Sequence, residues 1–182
     1  MIPEHLRSMV EAIREAPIQP PPHPWREAAV HGVGGLTSVG FARDTDMLLV
    51  VSPQGRGVFD CTSGSLLDRD RDSDGDYEDE IALEARGIGA LEGTVIRMSG
   101  LHGGGLPRWT HDGWSAEQLA LDWPRQTLLL LSPWSSIYDL TRGKSVDFTK
   151  LAVDSEVRAY GFSPTGCSIV VATSSDLMIY TR

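Results

Sequence analysis

Residues 36–182 repeat themselves at a period of about 40, which restricts the possible folds more than any other property of the chain. Met47-Leu48-Leu49-Val50-Val51-Ser52-Pro53 aligns with Thr127-Leu128-Leu129-Leu130-Leu131-Ser132-Pro133, 80 residues on. Val58-Phe59-Asp60-Cys61-Thr62-Ser63-Gly64 aligns with Ile137-Tyr138-Asp139-Leu140-Thr141-Arg142-Gly143, 79 residues on. A third copy, Ile169-Val170-Val171-Ala172-Thr173 followed by Leu177-Met178-Ile179-Tyr180, begins about 40 residues after the second. Short apolar runs between Ser-Pro and Gly-containing turns read as strands. At this period they read as small antiparallel sheets set side by side, so the expected fold is mostly β.

Thr37–Ala42, Met47–Ser52, Gly57–Cys61 and Ser65–Asp68 form one expected meander. Gln118–Trp123, Thr127–Leu131, Ser136–Leu140 and Ser145–Phe148 form its copy. The last unit, with Arg158–Phe162, Ser168–Thr173 and Leu177–Tyr180, stops one strand short. Glu27–Val33 is the candidate for the missing strand, since closure of this kind removes an exposed sheet edge. A closed ring of four units, an open stack, and a ring completed by a second subunit all use this pattern.

Ahead of the sheets, Leu6, Met9, Val10 and Ile13, with Ile2 before them, mark one apolar face of a helix over residues 3–16. Pro3 suits its first turn and Pro17 stops it. That face would dock on its own domain or in a partner's groove. Pro20-Pro21-Pro22-His23-Pro24 follows as a stiff extended connector. The expected organisation is therefore helix and connector over 1–24, then a single β domain of about four blade-like units over 25–182.

Gly161-Phe162-Ser163-Pro164-Thr165-Gly166-Cys167-Ser168-Ile169-Val170-Val171-Ala172-Thr173 resembles the inner half of a WD40-type β-propeller blade. Asp60-x-Thr62-x-Gly64 and Asp139-x-Thr141-x-Gly143 resemble the turn between the two outer strands of that family's blades. The family's Gly-His and Trp-Asp pairs are absent. The resemblance covers three units, about half of the chain, and implies a small or partial β-propeller. The stretch Gly100–Pro107 with Asp112-Gly113-Trp114 is similar to a family of uncharacterised bacterial proteins, a likeness that implies no activity.

The formal charge is −9, and residues 68–80 alone carry eight acidic side chains against Arg69 and Arg71. This balance argues against non-specific nucleic-acid binding, which needs clustered cations. It permits a basic protein partner or a divalent cation. No apolar run reaches the roughly 20 residues of a membrane span, and the acidic N-terminus does not read as a signal peptide. Two cysteines, Cys61 and Cys167, are too few for a disulfide framework, so a cytoplasmic protein is expected.

Asp70, Asp72, Asp74, Asp76 and Glu78 have the alternation and the Gly75 turn that a Ca²⁺ loop uses, without the helix and the acidic twelfth residue of an EF-hand. The segment resembles calcium loops between propeller strands. On that likeness Asp70, Asp72, Asp74 and Glu78 would bind through side chains and Asp76 through its carbonyl. A solvated acidic loop in which Arg69 and Arg71 pair with their neighbours is the other reading.

His102-Gly103-Gly104-Gly105 has the form of a hydrolase oxyanion loop, but no G-x-S-x-G accompanies it, so a glycine-rich turn is the simpler reading. His102, His111 and Asp112 lie near one another in sequence, flanked by Trp109 and Trp114. They form the candidate binding surface, since Trp is enriched at interaction hot spots. Trp123 and Trp134, at strand and turn positions of the repeat, are expected in the core. The leading functional expectation is a non-catalytic interaction module that requires no cofactor and could neutralise a basic protein. The alternative is a small metal-dependent hydrolase using the 100–114 and 68–80 loops.

Overall fold

The computed structural model describes residues 3–71 and 77–182, and it is built mostly of antiparallel sheets behind one helix. After a 3-10 turn at Glu4–Leu6 come α1 (Arg7–Glu15) and an extended connector that leads to β1 (Arg26–Gly32). β2 (Ser38–Phe41), β3 (Met47–Ser52), β4 (Gly55–Asp60) and β5 (Ser65–Asp70) form the first meander. β6 (Glu78–Asp79), β7 (Glu84–Arg86) and β8 (Val95–Arg97) make a small sheet, after which β9 (Ser99–Gly100) returns to pair with β2. β10 (Ser115–Asp122), β11 (Arg125–Leu131) and β12 (Phe148–Asp154) form the third sheet. β13 (Val157–Phe162), β14 (Ser168–Thr173) and β15 (Asp176–Thr181) form the fourth. β1 completes that last sheet by pairing with β15 from Arg26↔Thr181 to Gly32↔Asp176, where the sequence places a closing strand.

Three central strands are apolar on both faces, and this fixes how the sheets stack. On β3, Leu48 and Val50 face one way, toward Val170, Ala172 and Ile179 of the fourth sheet. Leu49 and Val51 face the other way, toward Ala85, Ile96 and Met98. On β14, Ile169 and Val171 turn to Leu128 and Leu130 of β11. Leu129 and Leu131, on the far face of β11, meet Met9, Val10 and Ile13 of α1. The layers therefore run in the order small sheet, first meander, fourth sheet, third sheet, helix. The helix occupies the face that a neighbouring sheet would otherwise cover. Each fully buried aliphatic side chain in these layers stabilises the fold by about 1.5–3 kcal/mol.

The two best-matched copies of the repeat diverge where one residue is missing. Between their aligned blocks the first copy has Gln54-Gly55-Arg56-Gly57, the second only Trp134-Ser135-Ser136. In the first, Ser52 pairs with Gly55 across a two-residue turn, and Val58 then lies opposite Leu49. Gly55 holds a φ of +104° there, and a β-carbon would collide with the carbonyl oxygen of Asp70. The same hairpin in the shorter copy would set Ile137 opposite Leu130, on the wrong face, because a one-residue slip inverts every side chain. Ile137–Arg142 is instead a 3-10 helix, which delivers Ile137 to Leu129 and Leu131 and leaves Tyr138 exposed. The expected strands Ser136–Leu140 and Ser145–Phe148 are thus replaced by this helix and by β12, which takes the free edge of β11.

That replacement explains the place of the N-terminal segment. Among the described residues the sheet β10-β11-β12 has three strands, and α1 packs beside the 3-10 helix to cover it. The connector then runs along β12: Ile18 bridges Lys150 in parallel, and the Gln19 N–H donates to the Lys150 carbonyl at 3.1 Å. The Lys150 ammonium donates to the Arg14 carbonyl at 3.1 Å, placing a cation at the C-terminal end of the helix. Among the described residues no helix is long and apolar enough to cross a membrane.

Candidate functional site

The 108–116 segment folds back on itself and lies over the start of β10. Trp109 bridges Ser115, and the Ala116 N–H donates to the Arg108 carbonyl at 2.9 Å. The tip is tied internally, because the Thr110 N–H donates to the Trp114 carbonyl at 3.0 Å and the Trp114 N–H donates to the Thr110 hydroxyl at 2.9 Å. Ser115 in turn pairs with Leu131, so Trp109 sits at the same end of the third sheet as the turn that follows β11. That turn carries Trp134, whose N–H donates to the Gly113 carbonyl at 3.0 Å. The Trp134 ring lies directly on Gly113, where a β-carbon would come within 2.6 Å of it. Gly113 also has a φ of +93°, so a glycine is needed here on two counts.

An aromatic base holds this rim from below. Trp114 packs edge-on against Trp25 with ring centroids 5.8 Å apart, and Trp25 also meets Phe162 at 5.7 Å. Arg182 stacks over Trp25 at 4.8 Å and forks onto Asp112, with Nη1 to Oδ2 at 2.5 Å and Nη2 to Oδ1 at 2.8 Å. Hydrogen bonds from Arg182 are the main reason why the Asp112 carboxyl is held well below the usual carboxylate range. Arg182 further donates to the Gly166 carbonyl at 2.9 Å, which joins the rim to the β13–β14 turn.

On this rim Trp109 is 60% exposed and Trp134 is 80% exposed, with His111 open to solvent between them in the chain. Trp114 is only 7% exposed and supports the surface from the core without presenting a face of its own. Asp112 is engaged by Arg182, and His102 lies 3.3 Å from Glu80 on a different partner. Among the described residues no three His, Cys, Asp or Glu side chains gather as a metal would require.

Of the acidic loop, Asp72, Asp74 and Asp76 lie outside the described residues. Asp70 accepts a 2.6 Å bond from Arg56, whose guanidinium also stacks over Tyr77 at 4.4 Å. Glu78 accepts a 2.5 Å bond from the Ser38 hydroxyl. Both carboxylates thus have protein partners. Glu78, Glu80, Glu84 and Arg86 help to line a broad hollow of about 610 Å³ on the outer sheet.

Trp123 and Trp134 are not core residues, contrary to the expectation from the repeat. Trp123 is 83% exposed in the turn between β10 and β11, and Trp134 occupies a turn as well. The signal for Trp134 was present in the sequence, because it aligns with Gln54, a polar turn residue of the first copy. The Arg182 clamp, 70 residues from Asp112, had no sequence signal. Compared with known protein families and with curated proteins, the chain matches none.

Proposed function

We propose that this chain is a non-catalytic protein-binding module whose contact surface is centred on Trp109 and Trp134. The observation that supports this is the pairing of high exposure with a fixed backbone. Both indoles stand in solvent, yet the residues that carry them are held by hydrogen bonds, by a glycine seat and by the Trp25–Trp114 base. An indole offers a large apolar area and one N–H donor, the combination enriched at hot spots. Fixing it before binding lowers the ordering cost of association.

The partner in this proposal is a protein with a basic face, drawn by the formal charge of −9. A cytoplasmic setting suits the two free cysteines, Cys61 and Cys167. The WD40-like reading belongs to the same proposal. β2, β9, β10 and β13 adjoin one another as inner strands of blades do, and α1 takes the place of a further blade, which makes a partial propeller.

Affinity capture with the intact chain, from the cells that make it, tests the proposal. Trp109→Ala and Trp134→Ala should each lower recovery of a specific partner at least about tenfold, while Trp123→Ala leaves it unchanged. Recovery should also fall as salt rises. Equal recovery from the wild type and from both rim variants would overturn the proposal.

A further inference from the structure

Beside the last turn of α1, on the side of the third sheet that the helix covers, lies a hollow of about 510 Å³. Its polar lining comes from Arg14 of the helix, Asp122 of β10, Arg125 and Thr127 of β11, and Lys150 of β12. It sits at the Asp122↔Arg125 end of the sheet, whereas the indole rim is at the Ser115↔Leu131 end. The lining carries three cations against one carboxylate, in a chain whose formal charge is −9. That carboxylate, Asp122, is engaged by Arg14 through Nη2 at 2.6 Å and Nε at 3.3 Å. Glu15 also stands at the end of α1 but does not line the hollow.

Two polar side chains of the lining are buried and incompletely used: Lys150 and Thr127 are each 7% exposed. The Lys150 ammonium has three N–H groups and donates one of them, to the Arg14 carbonyl at 3.1 Å. Among the described residues no carboxylate forms an ion pair with Lys150 or with Arg125. Burial pushes this ammonium below the ordinary lysine value, and the charge of Asp122 offsets only part of that. A helix C-terminus suits a cation, which accounts for the one bond and leaves two N–H groups over. Thr127 is on the same face, two residues before Leu129, which packs under α1 and pairs with Lys150. Its hydroxyl makes no hydrogen bond among the described residues, and its oxygen is open to the hollow rather than sealed in the core. A buried ammonium without a counter-charge is unfavourable unless an acceptor meets it.

A buried ammonium, a hydroxyl and a free guanidinium around one hollow are a donor set that recognises carboxylate or phosphate oxygens. Leu121 and Val153 add an apolar wall, and the volume suits a small organic molecule. We propose that this hollow binds a small organic anion, whose carboxylate or phosphate group meets the Lys150 ammonium, the Thr127 hydroxyl and the Arg125 guanidinium. Arg14 neutralises Asp122, the one carboxylate of the lining that would repel such a ligand. The site does not depend on the indole surface.

Amide NMR of the intact chain tests this, with sodium phosphate and sodium butyrate titrated separately at constant ionic strength and sodium chloride as the control. Saturable shifts at Arg125, Thr127 and Lys150, at millimolar concentration of one anion, are expected. Saturation by butyrate alone assigns a carboxylate, and saturation by phosphate alone assigns a phosphate. Thr127→Val and Arg125→Gln should each weaken binding about tenfold. Thr127→Val removes a hydroxyl that bonds no other described residue, so without anion its melting temperature should match the wild type. Lys150→Met should abolish binding, but it also loses the bond to Arg14, so the other two variants decide the matter. Shifts that rise linearly with both anions, or match those with chloride, would overturn the proposal. So would affinities unchanged in both Thr127→Val and Arg125→Gln.

Discussion

The two ends of the stack meet the same physical demand in different ways. At one end the outward face of the third sheet is apolar, with Leu129 and Leu131 on it, and α1 closes over them with Met9, Val10 and Ile13. At the other end the small sheet turns Ala85 and Ile96 inward and sets Glu84, Arg86 and Arg97 in water. Every sheet must bury its apolar face, so an end layer needs either a cover or a polar outer face. This chain uses one solution at each end. Exposed apolar side chains also stand elsewhere, among them Ile81 and Val95 by the small sheet, Leu66 and Leu67 on β5, and Trp123, but the rim brings two indoles to one end of the third sheet.

The contrast breaks most sharply at Ile13. Ile13→Ala empties a fully buried site between α1 and β11 and should cost about 2–5 kcal/mol in urea unfolding. Next comes Gly113→Ala on the rim, where a positive φ and the Trp134 ring both oppose a side chain; about 1–3 kcal/mol is expected. The Asp112–Arg182 pair is weaker because Asp112 is largely exposed, and Asp112→Asn should cost less than about 1 kcal/mol at neutral pH. The Asp112 carboxyl is held low in the folded chain, so its contribution is complete above the unfolded value of about 4 and fades as pH falls toward the folded one. The difference between wild type and Asp112→Asn should therefore shrink in acid, as read from melting temperatures at successive pH. Smallest is Val95→Ala at the open end, where the side chain stands in solvent and the change should stay within about 0.5 kcal/mol. A large loss at Val95 with none at Ile13 would reverse the assignment of the ends.

Much of the architecture was legible because it is local. The Ser-Pro turns and continuous apolar runs of 38–60 and 157–181 determine their strands almost to the residue. The fit of β1 to β15 followed from counting strands. The 137–142 segment was not legible, since its sequence matches a strand of the first copy and only the missing residue, read against the faces of β11, turns it into a 3-10 helix. Of the site, the 100–114 segment was visible through its His, Trp and Gly residues. The separate roles of Trp114 and Trp134 were not, since they depend on Trp25 and Gly113. Arg108 meets Tyr160 only through the crossing of β10 and β13, a contact that no sequence spacing encodes.

The central claim, that the rim and neither end meets the partner, is tested most directly by photo-crosslinking in living cells. A photoreactive phenylalanine analogue replaces, one at a time, Trp109, Trp134, Trp123 and Val95. Discrete adducts with one protein from positions 109 and 134, and none from 123 or 95, are the expected result. Adducts from 95 or 123 without any from 109 and 134 would contradict it.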